Sequence, residues 1–320
     1  MLHIQKHRGI LRKLCALSLV CALLCAGAIS AIAADMWDGL GRQVHIAEAP
    51  QRIVTLPVWA AEMLLEMVGP DRIIAVSALG DDPAVSPAAE LAAAVPERVS
   101  GDDAEGILAL APDLVVLDTS SMGPDGTLVR TLEEAGLTVL VMASPTDLHT
   151  MMYALTALGE ATFAQEQAAQ MVTDVQAILG NVAMGLAMVQ EYKTVMLYEE
   201  YDDPNGSAGM LRAYGPGSPF DAMARAAGLI NVCDAPNFSP VSKEMITAQW
   251  KPDVLIVPSA TIDNDGAAII AGIMADPALA GLPAVQNNRV FAIPDKYRGS
   301  TSQYMAQGVY ELAKLLYPVE

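Results

Sequence analysis

Histidine and cysteine are scarce in this chain, and that limits the chemistry it can do. Beyond residue 33 only His45, His149 and Cys233 remain. A zinc site of the usual kind takes three or four His, Cys or carboxylate ligands, so no metal site built by the protein alone is expected. His149 and Cys233 could be imagined as a nucleophile pair, but a lone cysteine after Asn231-Val232 reads better as a small buried hydrophobe. No G-x-S-x-G, Walker or G-x-G-x-x-G pattern occurs. Tyr214-Gly215-Pro216-Gly217-Ser218 follows a loop instead of a strand and reads as a turn. Where strands are predicted to end, the chain offers a different set: Trp59, Leu79, Met122, Tyr198, Tyr201, Ser259, Tyr297 and Arg298, with Tyr214 in the glycine-rich loop. Ligands of open parallel sheets sit beyond the carboxyl ends of the strands. An aromatic, thioether and small-polar lining with one cation suits a bulky, partly apolar molecule held by a few polar anchors.

The elements that would position these residues are visible in a repeated phrase. Pro112-Asp113-Leu114-Val115-Val116-Leu117-Asp118 and Pro252-Asp253-Val254-Leu255-Ile256-Val257-Pro258 are each preceded by a carboxylate, Glu105 in the first copy and Glu244 in the second. Each copy predicts a short helix opening near the Glu, a proline stop and a buried parallel strand. Strands alternate with helices over most of the remaining chain, which implies parallel sheets covered on both faces. Between the two copies, Ala168, Met171, Val172, Val175, Ile178, Leu179 and Val182 recur at helical spacing with no proline. The expected organisation is an N-terminal α/β lobe over 34–160, a connecting helix over 161–190 and a C-terminal α/β lobe over 191–320. The preceding helix is expected to stop at Gly159, and Glu199 to Pro219 to form a loop.

Residues 1–33 differ from the rest. A basic start is followed by an almost uninterrupted apolar run from Leu14, and Ala31-Ile32-Ala33 fits the small-x-small rule for cleavage. A cleaved export signal is therefore expected, with a retained anchor as the alternative because the run approaches bilayer length. Cys21 follows Val20 and Cys25 follows Leu24, neither of them the small residue that lipid modification wants. The net charge is −19, and the first 33 residues hold none of the 37 acids. A chain so acidic is repelled by nucleic acid and by anionic lipid. Past the signal a single cysteine remains, so stability must come from packed cores and not from an internal disulfide.

The ordered blocks resemble the periplasmic binding proteins that deliver ferric siderophores, haem or cobalamin to ABC importers. The resemblance runs through Asp38-Gly39-Leu40-Gly41-Arg42, Ala49-Pro50-Gln51-Arg52, Glu62 before Leu64-Leu65, and Gly69-Pro70-Asp71-Arg72. It continues in both Glu…Pro-Asp units, Ala227-Gly228-Leu229-Ile230-Asn231 and Leu312 to Pro318. It implies two Rossmann-like lobes with mostly parallel sheets joined by one long helix, acting as a non-enzymatic monomer without a resident cofactor. The ligand would be an iron-containing organic complex held between the lobes. Glu105 and Glu244 would dock onto a permease dimer in the cytoplasmic membrane. Haem capture would draw on Tyr198, Tyr201, Tyr214 or Tyr297 as iron ligand, and an anionic siderophore on Arg298 or Arg212. Cobalamin binders carry aromatics where this chain has Ala78-Leu79 and Gly101-Asp102-Asp103, which disfavours a corrinoid. Two readings of other classes are an exported doubly wound enzyme, which detectable turnover would reveal, and an anchored adhesin, which would need the signal to stay attached.

Overall fold

The structure is a computed structural model that describes residues 33–201, 210–259 and 266–319. The predicted signal, except Ala33, lies outside these residues. The chain opens with an antiparallel hairpin of β1 (Ala34–Trp37) and β2 (Gln43–Ile46). The first lobe is built on β3 (Ile53–Thr55), β4 (Ile73–Val76), β5 (Glu97–Arg98), β6 (Leu114–Asp118) and β7 (Val139–Met142). These pair in the order β5-β4-β3-β6-β7, all parallel. Every residue of β3, β6 and β7 is buried, as apolar runs covered on both faces require.

The second lobe holds β8 (Lys193–Leu197), β11 (Leu229–Asn231), β13 (Val254–Ser259) and β14 (Val290–Pro294), parallel in the order β11-β8-β13-β14. Strand order reverses between β3 and β6 in one sheet and between β8 and β13 in the other. A doubly wound sheet opens its crevice at such a point. The fold is thus two Rossmann-like lobes with mostly parallel sheets, and the 22-residue helix Gln165–Leu186 runs between them.

The two Glu…Pro-Asp phrases form the predicted elements. Helix Ala104–Ala109 leads to β6, with the Asp103 side chain accepting from the Gly106 amide. Helix Lys243–Met245, capped by Ser242, passes through a π turn at Ile246–Trp250 before β13.

Three local expectations change. The helix begun at Leu148, under an Asp147–Thr150 capping box, runs on to Thr162 instead of stopping at Gly159. Gly159 is there for packing: a Cβ on it would lie 2.5 Å from the Cβ of Ala168 on the next helix. The helix expected over 161–190 accordingly spans Gln165–Leu186, because Phe163 adopts a left-handed conformation (φ 58°) and ends the preceding helix. The expected loop after Glu199 contains β9 (Glu200–Tyr201) and β10 (Met210–Arg212). With β12 (Pro240–Val241) these form a small antiparallel sheet. Among the described residues no helix is long and apolar enough to cross a membrane, and Cys233 is free and buried.

Candidate ligand-binding cleft

A cavity of about 390 Å³ opens between the lobes. The first lobe contributes Val58, Trp59 and Glu62 from helix Val58–Val68, which follows β3, together with Val85. The second contributes Arg212 and Tyr214 from β10 and the turn after it, Pro219 and Phe220, Phe238, and the stretch after β14 containing Asp295, Lys296, Arg298, Gly299, Ser300 and Thr301. Its size falls in the ordinary range for small-molecule sites.

Trp59 stands at the switch point of the first sheet. Its indole Nε1 donates to Asp118 Oδ2 at 3.2 Å, at the end of β6. Asp118 also accepts from Ser120 Oγ at 2.6 Å and Ser144 Oγ at 2.7 Å. Burial works to raise this carboxyl, but its hydrogen bonds to Ser120, Ser144, Trp59 and Ser121 outweigh burial and hold it below the usual range. The anion therefore fixes one edge of the indole, and the ring is only 6% exposed.

On the opposite wall, Tyr214 and Arg298 form one unit. Arg298 Nη1 donates to the Tyr214 hydroxyl at 3.0 Å, and its Nη2 lies 3.0 Å from Glu199 Oε1. Its Nε donates to Asp295, and the Tyr214 hydroxyl donates to Glu199. Burial raises Glu199 above the usual carboxylate range, although Arg298 opposes the shift. Phe238 meets the Tyr214 ring edge-on with centroids 5.7 Å apart, and Arg212 lies over the Phe238 ring at 5.9 Å. Phe238 is 59% exposed and has a left-handed backbone (φ 62°), an unusual combination for a large aromatic.

Of the residues singled out from the sequence, Trp59, Arg212, Tyr214 and Arg298 come together here. Tyr198 does not: it is buried, its hydroxyl donates to Glu200 at 2.6 Å, and it lines a separate cavity in the second lobe with Lys243 and Asp276. Leu79 is 60% exposed and lines neither cavity. Met122 packs on the smaller first-lobe core, and Tyr297 against the large core that runs through both lobes. The Ser259 hydroxyl donates to the Ile293 carbonyl at 3.3 Å. Tyr201 belongs to β9, but its side chain lies outside what the structure describes. Glu105 and Glu244 are exposed, each in the first turn of its helix. Sequence reasoning missed Phe220, Phe238 and Lys296, and knew Glu62 only as one of the residues carrying the family resemblance. Phe238 had a signal, an aromatic set between Pro236 and Pro240.

Comparison with known proteins now bears on this geometry. Residues 53–297 match the family described as periplasmic binding protein. The chain belongs to that family. A Bacillus subtilis relative named an uncharacterized ABC transporter substrate-binding lipoprotein, YvrC, is 23% identical over 88% of this chain and 84% of its own length. A cobalamin-binding protein of Halobacterium salinarum is 24% identical over 73% of this chain and 61% of its own. The apo structure of the periplasmic heme-binding protein RhuT from Roseiflexus sp. RS-1 superposes with a TM-score of 0.67 at 24% identity. That match covers 83% of this chain and 97% of RhuT. The protein is thus a periplasmic binding protein of the ABC-transporter substrate-binding type.

Proposed function

We propose that this binding protein captures an anionic iron complex, a ferric siderophore or haem, in the cleft between its lobes and hands it to an ABC importer permease. One observation carries the reading: in a chain of net charge −19, the cleft presents Arg212, Lys296 and Arg298 among Trp59, Tyr214, Phe220 and Phe238. Aromatic faces bury a flat or macrocyclic chelate, and the cations meet its carboxylates or catecholates. Tyr214 is the candidate iron ligand, with the Arg298 guanidinium placed to balance charge on a coordinated oxygen. Glu105 and Glu244 are the docking carboxylates, one per lobe, and residues 1–33 the export signal that places the mature protein outside the cytoplasmic membrane.

Corrinoid capture is the second reading, favoured by the cobalamin-binding relative. Basic side chains in the cleft and the lack of aromatics at Ala78-Leu79 and Gly101-Asp102-Asp103 favour the anionic iron complex instead. Titration of the purified protein against ferric haem, a panel of ferric siderophores and cobalamin separates them. Sub-micromolar binding of haem or a siderophore is expected. Tight binding of cobalamin alone, or of bare Fe³⁺, would overturn the reading.

A further inference from the structure

Glu62 is the cleft residue that this ligand chemistry leaves unexplained. It is 4% exposed, on helix Val58–Val68, where the two lobes meet. Ser302 Oγ reaches across from the second lobe and donates to its Oε2 at 2.5 Å. The Gln303 amide donates to its main-chain carbonyl at 3.3 Å. Buried Ser86, from the loop that also brings Val85 to the cavity, has its hydroxyl on the same side and helps to lower this carboxyl. One turn along the helix, the Tyr304 hydroxyl donates to Glu66. Glu62 thus pins its helix to the start of the last helix of the other lobe.

Charges of both signs share its cavity, but the acidic group and phenols lie closest along its own helix and the facing element. Glu66 lies on the same helix, and the phenols of Tyr304 and Tyr297 stand on the second lobe. The other elements packed on this helix carry Asp71, Arg72, Asp81, Glu90, His149, Glu160, Glu166 and Asp174, none of them hydrogen-bonded to Glu62. Among the described residues Glu62 takes part in no ion pair, while Asp295, Arg212, Lys296 and Arg298 line the same cavity. Burial, with a smaller contribution from Glu66, raises this carboxyl to about 7 against the opposing Ser302 and Ser86 hydroxyls.

We propose that Glu62 makes ligand capture proton-coupled: its neutral carboxyl, buried in the cavity wall, admits an anionic ligand, and its carboxylate form repels one. The proposal rests on the anionic-chelate reading above. A ligand anion in the same low-dielectric cavity makes ionising Glu62 harder still, so binding takes up a proton, and affinity must fall as pH rises through neutrality.

The test titrates ferric haem into wild type and Glu62→Gln between pH 6 and 8.5. The wild type should weaken by about five- to tenfold across this range, a shift of about one unit in the linked group. Proton uptake should appear as a binding enthalpy that changes with the ionisation enthalpy of the buffer. Glu62→Gln should bind with a nearly flat profile close to the acid limit of wild type. Ser302→Ala, which deletes one hydrogen bond to the carboxylate, should move the wild-type midpoint upwards and serves if Glu62→Gln folds poorly. Equal pH slopes in wild type and the variants would overturn the proposal.

Thermal unfolding of the ligand-free proteins separates the two ideas. Because the folded value lies above the unfolded one, Glu62 favours folding at the acid end, and that contribution is lost as pH rises through about 7. Wild type should therefore lose stability relative to Glu62→Gln between about pH 4.5 and 7. If haem bound neither protein, the ligand reading would fail; diverging unfolding profiles would then still support the titration of Glu62, and parallel ones would overturn it.

Discussion

Asp118 and Glu62 are both carboxyls buried in the first lobe, and burial pushes both upwards, yet they end on opposite sides of the usual carboxylate range. Asp118 gathers hydrogen bonds from the Ser120 and Ser144 hydroxyls, the Ser120 and Ser121 amides and the Trp59 indole, so its anion is stabilised. Glu62 has the Ser302 hydroxyl as its hydrogen-bond donor, and its neutral form prevails up to about 7. Replacing Asp118 by Ala should cost about 2–4 kcal/mol in urea unfolding, since several donors lose their acceptor together. The folded value of Asp118 is depressed, so its contribution is present above the ordinary carboxylate range and lost as pH falls through the folded value. The gap between wild type and Asp118→Asn should accordingly narrow in acid. In the opposite wall, Tyr214→Phe should weaken ferric haem by about tenfold or more, or about 1.4 kcal/mol. The fold should be unaffected, because Arg298 keeps Glu199 and Asp295. An unchanged haem affinity would remove Tyr214 as the iron ligand.

At the scale of elements, the turn from Tyr214 to Ser218 shows how backbone packing sets the cleft. A Cβ on Gly215 would lie 2.0 Å from the Ala235 carbonyl oxygen and 3.0 Å from that of Cys233. Gly215→Ala should therefore push Tyr214 off the wall. It should cost about 1–3 kcal/mol by chemical denaturation and weaken haem binding as well. The parallel strands could be read from the sequence because buried β-branched and aliphatic runs sit between turn residues, as at Leu114–Asp118 and Val254–Ser259. The small sheet of β9, β10 and β12 could not, since strands of two or three residues are too short to show a period. Gly159 misled for a related reason: one letter serves both helix ends and close helix contacts, and only the neighbour, Ala168, tells them apart. Of the candidate site, Trp59 was legible from its place after β3. Lys296 reaches the cleft through tertiary placement that no local pattern encodes, whereas Phe238 had only the weak mark of its flanking prolines. Glu105 and Glu244, outside the cleft in short helices, should both tolerate Ala with ligand affinity unchanged to within about threefold, since exposed substitutions cost within about 0.5 kcal/mol. Uptake in cells should nonetheless stop, and uptake that survived the double change would refute the docking role.

For the molecule as a whole, the lobes are tied by the helix Gln165–Leu186 and by the pins from Ser302 and Tyr304 to Glu62 and Glu66. A continuous helix between packed bodies is a stiff hinge, so ligand should close the cleft by no more than about 20°. Small-angle scattering with and without ligand checks this, and a large compaction would contradict it. Cys233, the sole cysteine past the predicted signal, is 2% exposed, and burial first of all raises its thiol above the ordinary value. Such a thiol gives thiol-directed reagents little to attack. The natural sequence is thus a ready background for spectroscopy: one new surface cysteine on each lobe would accept a pair of dyes or spin labels without first deleting the native one. The hinge could then be followed as a distance, molecule by molecule.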